Sequence, residues 1–550
     1  MSQLTSFFDS YYRLRPVNAT FTGIHDFDDR LPDWSPDGLA AAVDEMRGAR
    51  ASIDVPSVIG GNDVEAVDRA LAAAFLDVQI AEHDSLHFQR GNPSLAGGEA
   101  IFGIISLMTR PFAPVADRAD AAWSRLSATP KFLNDARRSL ASSEVPDEWR
   151  RRCLRECDGA ERLLTGGINR WIALESIDDA GAERLTRAAR QACASFSEYR
   201  QWIEHELQPA APDRYACGAD LFDMLLARGH WCNRSRAALA ADARGALDEA
   251  LARLAERARQ RASGGWPAVQ ERLAAAHPRP ENYLDAYRRV WDACHELAQS
   301  RDLVTWPDYP IRYVPIPPHN REAAPFLYYL HYRSPAPFDR LPTHEYLVTP
   351  IDSDMPPDEQ RRRLRATNDS VIKLNHVVHH GAIGHHVQNS HAYVGASEIG
   401  RVAAVDCASR IGMFLGGTMA EGWACYATDL MDEVGFLTPD ESLAQQHTRA
   451  RLLARACVDI GLHERSLTFD EAAGIYRERI GMSDEAARAE TCKSSMFPGT
   501  AVMYWLGTEG LHRLRRERQR LEGDSFSLRR FHDRVLARGS IPVPLLARTF

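Results

Sequence analysis

Between Leu374 and Ala392 the sequence reads LNHVVHHGAIGHHVQNSHA, which places six of the protein's twenty histidines (His376, His379, His380, His385, His386 and His391) within sixteen residues. Imidazole is the commonest protein metal ligand and the side chain that most readily exchanges protons near neutral pH, so the segment points to metal binding, proton transfer or both. His376 and His380 have the i, i+4 spacing that puts two side chains about 6 Å apart on one helical face, as in the zinc motif HExxH. Val377 stands where that motif carries its carboxylate. His379 and His385 are six residues apart and off one face of a regular helix, but Gly381-Ala382-Ile383-Gly384 between them can widen or break the helix and bring them back together.

A catalytic zinc takes three protein ligands and keeps one position open, so a carboxylate is needed from elsewhere. Glu421 is the best candidate. It lies in GGTMAEGWACY (416–426), among small and apolar residues where an unpaired carboxylate is costly and calls for a cation. A structural alternative pairs it with Arg410 or a histidine.

The elements that must position these residues are mostly helical. From Pro36 to about Ser300 the text is Ala, Leu, Arg and Glu in helical rhythm, broken at 60–63, 90–99, 109–117 and 208–215. Ahead of it, His25, Asp26, Asp28 and Asp29 read as an acidic turn capping the next helix rather than as a metal loop. Between Trp306 and Ile351, RYVPIPP, FLYYLHYRS and EYLVTPI read as short strands, the only sheet expected. Helical text then returns to the C-terminus, with breaks expected at Gly381, Gly416-Gly417, 435–441 and 497–499.

The expected fold is therefore mainly α, a large helical protein with a small β-sheet, divided into 1–300 and 301–550 and packed as one body because no low-complexity linker separates the two. The cleft between them would hold the substrate, with Tyr328, Tyr329, Tyr332 and Trp423 as wall candidates. A net charge of −9 over 550 residues, with no Lys/Arg block, argues against nucleic acid as a partner. The N-terminus has no basic leader with an apolar run, and no stretch reaches about 18 uninterrupted apolar residues, so a cytoplasmic protein without a membrane partner is expected. The ten cysteines are scattered singly, in the pattern of buried thiols; Cys153 and Cys157 share a helical face without a second pair to complete a zinc site.

At these motifs the sequence resembles the bacterial domain-of-unknown-function family 885, regarded as zincin-like and related to metallopeptidases. The family signature reads approximately HEAYPGHH followed by EGWALYAE; here the two are HHGAIGHH (379–386) and EGWACYAT (421–428). PVNATFTGIHDFDDRLPD (16–33), YLVTP (346–350), VDIGLH (458–463), FPGTAVMYWLG (497–507) and FHDRVLARGSIPVPLL (531–546) are also similar to family text. EGWACY is similar as well to the NEGFATY element of aminopeptidase-N-like gluzincins, whose Glu is a zinc ligand. The resemblance implies a zincin-like half at 301–550 with His379, His385 and Glu421 as metal ligands, and His386 or His380 as alternatives. It implies Tyr504 as a donor to an oxyanion and Lys493 as a holder of a carboxylate. Asp459 and His463 match the family's DTGLH element and would line the cleft, orient a ligand or form a structural pair.

His380 replaces the family's Glu, Ile383 its Pro, Thr428 the Glu closing the second motif and Trp505 a Lys. Zincin hydrolysis uses that Glu to move a proton from water to the leaving amine. Here His380 would serve as the base, or join the ligands in a more nitrogen-rich site. Three functions are therefore expected in order: a metal-dependent hydrolase, zinc first among divalent ions, acting on a peptide-like or amide bond in a small substrate; a lyase, isomerase or non-haem iron oxygenase on the same scaffold, with iron; and an inactive binding protein. A homodimer is compatible with all three.

Overall fold

Helix starts follow side-chain chemistry. Ser35 accepts the Gly38 N–H at the head of Pro36–Ser52, while Thr438 and Thr468 each form a reciprocal capping box with Glu441 and Glu471. The acidic turn does not cap the next helix. Asp28 instead accepts Thr20 Oγ1 and pairs with His25 Nδ1 at 2.9 Å, folding the turn back on the preceding helix. The computed structural model describes residues 3–56, 63–85, 87–211, 213–308, 311–327, 331–333, 335–339, 341, 344–405 and 409–550.

The architecture is mainly α. Its three-stranded sheet has Glu345–Val348 at the centre, parallel to Arg312–Pro315 and antiparallel to Tyr332–Arg333. Two of the expected strands are thus shorter than their apolar text, because prolines close them. Most of the third, including Tyr328 and Tyr329, lies outside the described residues. A parallel pairing of Glu144–Val145 with Gln208–Pro209 was not expected; two residues a side leave no alternation to read. Among the described residues no helix is long and apolar enough to cross a membrane.

The largest hydrophobic core joins Phe7 and Tyr11 of the first helix to Tyr287, Tyr313, Val377, Ile383, Trp423 and Leu546. A second places Leu239 and Leu247 of the Ala-rich Arg236–Arg261 helix against Leu453 and Val458 of Pro439–His463. Both cores draw on residues before and after 300.

Two helix contacts bear on function. Gly417–Glu433 crosses Met503–Glu522 at Gly422 and Gly507, where a Cβ on Gly422 would lie 2.5 Å from the Gly507 Cα. This close approach sets Glu421 beside Tyr504. The expected break at Gly416-Gly417 does not occur: a π-helical turn, Gly412–Gly416, runs directly into the Gly417–Glu433 helix, and the glycines are needed because Ala403 and Met503 leave no room for side chains.

Candidate metal centre

The histidine segment breaks as its glycines suggest. Ile372–Gly381 is a π-helix, the chain turns through Ala382 (φ −129°, ψ −119°) and Gly384 (φ −74°, ψ −120°), and His385–Tyr393 restarts as α-helix. A Cβ on Gly381 would strike the Tyr313 hydroxyl, and one on Gly384 the His379 carbonyl. Two tryptophans pin the turn from outside: Trp291 Nε1 donates to the Gly381 carbonyl and Trp423 Nε1 to that of Ile383, each at 2.8 Å. The six-residue separation is thereby folded away, and the His379 and His385 rings meet with centroids 4.9 Å apart.

Glu421 completes the group. Its Oε2 lies 3.4 Å from His379 Nε2 and 3.5 Å from His385 Nε2, and it accepts no well-aligned hydrogen bond although the atom is buried. Zinc bonds of about 2.0–2.1 Å at a tetrahedral angle put neighbouring donor atoms about 3.4 Å apart. The two carboxylate–imidazole separations thus match the spacing of ligands on one ion. Burial lowers the pKa of His379, keeping the ring in the neutral form that ligates. Tyr504 donates its hydroxyl to the other oxygen, Oε1, at 3.2 Å and so orients the carboxylate.

His380 stands at the same site. Its Nδ1–H donates to the Asn375 carbonyl at 2.7 Å, which fixes the tautomer and leaves the Nε2 lone pair available. Its ring centroid is 4.7 Å from that of His379 and 5.4 Å from that of His385, and one ligating atom of each of the three lies within 4.8 Å of the others. His376 is turned away to the Tyr346 hydroxyl.

Other candidate residues are placed elsewhere. His386 is fully buried with its ring edge-on to His344 at 4.9 Å, and it does not join the group as the alternative ligand. His391 donates its Nε2–H to the Thr305 carbonyl at 2.8 Å. Asp459 and His463 are both fully buried and do not line the cleft: Asp459 accepts the Gly499 and Val502 N–H groups at 3.0 Å each, and His463 sits between the Ser494 carbonyl and the Cys217 N–H. Trp423 is likewise core rather than cleft wall, because its indole N–H is spent on Ile383. Arg410 pairs with Glu82 at 3.1 Å, not with Glu421.

The metal group opens on a cavity of about 800 Å³ whose wall includes His376, His379, His380, His385, Glu421 and Tyr504. Lys493 lines it too. Sequence reading missed Arg451, Arg455 and Glu490 on the same wall. Arg455 clasps Glu490 at 2.8 and 2.6 Å and lies 5.0 Å over the Tyr504 ring. Burial would raise the Glu490 carboxyl, yet Arg455, Arg451 and Lys493 hold it down at about 2. The available signal was two arginines four apart in the otherwise apolar stretch 450–458.

Fold and site together define a mainly helical protein in which two histidines and a glutamate converge on one large cavity. The chain belongs to the family described as bacterial protein of unknown function (DUF885), whose pattern matches residues 16–549. A solved structure of a "putative lipoprotein of unknown function" from Shewanella oneidensis is 19% identical, with a TM-score of 0.78 over 100% of this chain and 99% of that one. A solved structure of a "putative lipoprotein" from Colwellia psychrerythraea is 17% identical, with a TM-score of 0.78 over 99% and 97% of the two chains. At these identities the likeness establishes a shared fold. No curated protein matches the chain.

Proposed function

We propose that the protein is a metal-dependent hydrolase of the zincin type that cleaves a peptide-like or amide bond in a small substrate. The observation that carries this reading is the buried Glu421 Oε2, unsatisfied by hydrogen bonds and facing two imidazole nitrogens at the spacing of metal ligands. A cation between that oxygen and the two rings would satisfy it. A divalent ion held there, zinc before iron, would supply Lewis acidity and an activated water. Tyr504 keeps Glu421 in register, and in the reaction its hydroxyl would turn to donate to a developing oxyanion. His380, with Nδ1–H tied to Asn375, offers Nε2 as the base that a zincin ordinarily takes from Glu. The cavity accommodates a substrate of several residues' bulk.

One observation favours a second reading. His380 clusters with His379 and His385 closely enough to make three imidazoles and a carboxylate, a nitrogen-rich set that suits iron and non-hydrolytic chemistry. Elemental analysis of protein purified without added metal, together with assays on short peptides and acylated amines, tests both. The hydrolase reading expects one zinc per chain and cleavage abolished by chelation, with metal retained and cleavage changed in His380→Glu. Iron in place of zinc, with loss of metal in His380→Glu and no cleavage, establishes the second reading and sinks the first.

A further inference from the structure

The helix Pro439–His463 turns one face to the large cavity, and three polar side chains stand on it four residues apart: His447, Arg451 and Arg455. Two of them are spent inside the chain. His447 Nε2 lies 2.8 Å from the Ile480 carbonyl, its ring stacked on Trp266, and Arg455 holds both oxygens of Glu490. Arg451, between them, is half-buried with its Nε fully enclosed, and among the described residues none gives it a hydrogen bond or an ion pair. The other charges on the wall do not serve it. Arg365 pairs with Glu271 at 2.7 Å, Glu421 faces the metal-site histidines, and Lys493 acts on Glu490. Glu490 itself reaches Arg451 only through space. Burial first and Arg455 second lower the Arg451 pKa, and the pull of Glu490 is weaker than either. A guanidinium keeps its charge regardless, so the cavity carries a cation whose donors the chain does not use.

Resting on the hydrolase reading above, we propose that Arg451 is the substrate anchor of the large cavity and that it binds a carboxylate, so that the substrates are small amide-bonded acids. The planar fork of a guanidinium takes the two oxygens of a carboxylate in parallel, and one such fork matches a single negative charge. Its place fits an acid joined to the scissile amide. Arg451 stands one helical turn, about 5.4 Å, before Arg455, whose guanidinium lies 5.0 Å over the Tyr504 ring, and the Tyr504 hydroxyl reaches Glu421. Anchor and metal group thus share one wall, and a substrate one to three residues long, at about 3.5 Å per residue, can touch both. The carboxylate comes from either end of such a molecule. It is the C-terminus of a short peptide, on the amine side of the bond that breaks, or the far end of a dicarboxylic acyl group, on the other side.

The test uses the zinc-loaded full chain with two matched pairs: N-benzoylglycylglycine and its C-terminal amide, and N-benzylsuccinamic acid and N-benzylsuccinamide. The native protein, Arg451→Met and Arg451→Lys are compared in kcat/KM, in equilibrium binding by titration calorimetry and in Tm. At least one acid should exceed its amide by roughly tenfold or more, and the pair that does so names the side on which the carboxylate sits. Arg451→Met should erase that preference, and Arg451→Lys, with the charge but not the fork, should keep only part of it. Without ligand, Arg451→Met should melt no lower than the native protein, because it removes a charge that has no partner. The acid preference in binding without turnover upholds the anchor and sinks the hydrolase reading. Turnover with no acid preference, or with one that Arg451→Met leaves intact, overturns the anchor and leaves the hydrolase reading standing; neither binding nor turnover overturns both.

Discussion

Two carboxylate–imidazole groupings lie on neighbouring helices and behave in opposite ways. Asp459 and His463, four apart on one helix and 3.8 Å from each other, are fully buried, and each finds backbone partners: two N–H groups for the carboxylate, one carbonyl and one N–H for the ring. Glu421 faces His379 and His385 from a different helix, at a cavity, with one oxygen left unsatisfied. The difference shows what separates a structural polar pair from a binding site. In the first, each carboxylate oxygen and each ring nitrogen has a backbone partner within the chain. In the second, the chain holds Glu421 in place and leaves its Oε2 without a hydrogen bond.

Breaking the open grouping should have the larger effect. Glu421→Ala is expected to weaken zinc binding by about a thousandfold, about 4 kcal/mol, with little change in the unfolding free energy of the metal-free protein. Zinc content and titration calorimetry check this; undiminished zinc affinity would erase the distinction drawn between the groupings. Asp459→Ala should do the reverse. It strands the buried Gly499 and Val502 N–H groups, so it should cost about 3 kcal/mol in denaturant unfolding while zinc stoichiometry stays the same.

The closed region should also be the acid-sensitive one. His230 is fully buried against the Gly499 carbonyl, on the loop that Asp459 grips, and burial lowers its pKa to about 4. Below pH ~6.5 the unfolded chain takes up a proton that the folded ring does not, so this ring's contribution is complete above that pH and is lost as pH falls toward 4. The expected loss is at most about 3 kcal/mol. His230→Gln, which keeps a donor for Gly499, should flatten that part of the stability–pH profile; an unchanged profile would show that another group titrates there.

Much of this was legible along the chain. The crowding of imidazoles at 376–391, the glycines able to fold His379 back on His385, and a lone Glu in an apolar run all follow from residue type and local spacing. So did the helical character of most segments, because caps and apolar periodicity act within a few residues. Trp423 was less legible. An aromatic beside Glu421 reads equally as wall or core, and the deciding fact is a bond to Ile383 forty residues away. Arg451, Arg455 and Glu490 escaped for the same reason: the Arg455–Glu490 pairing spans about 35 residues and joins two helices.

Residue order alone thus decided which chemistry was on offer: imidazoles in excess and a carboxylate in apolar surroundings. Only the folded chain decided which groups were left to use it. Whether a buried polar atom is spent or open depends on which distant backbone groups reach it, and that is set by packing, by glycine crossings such as Gly422 on Gly507, and by the turn from Gly381 to Gly384. His386 and His385 are adjacent in the sequence; the first turns into the core against His344, and the second faces Glu421.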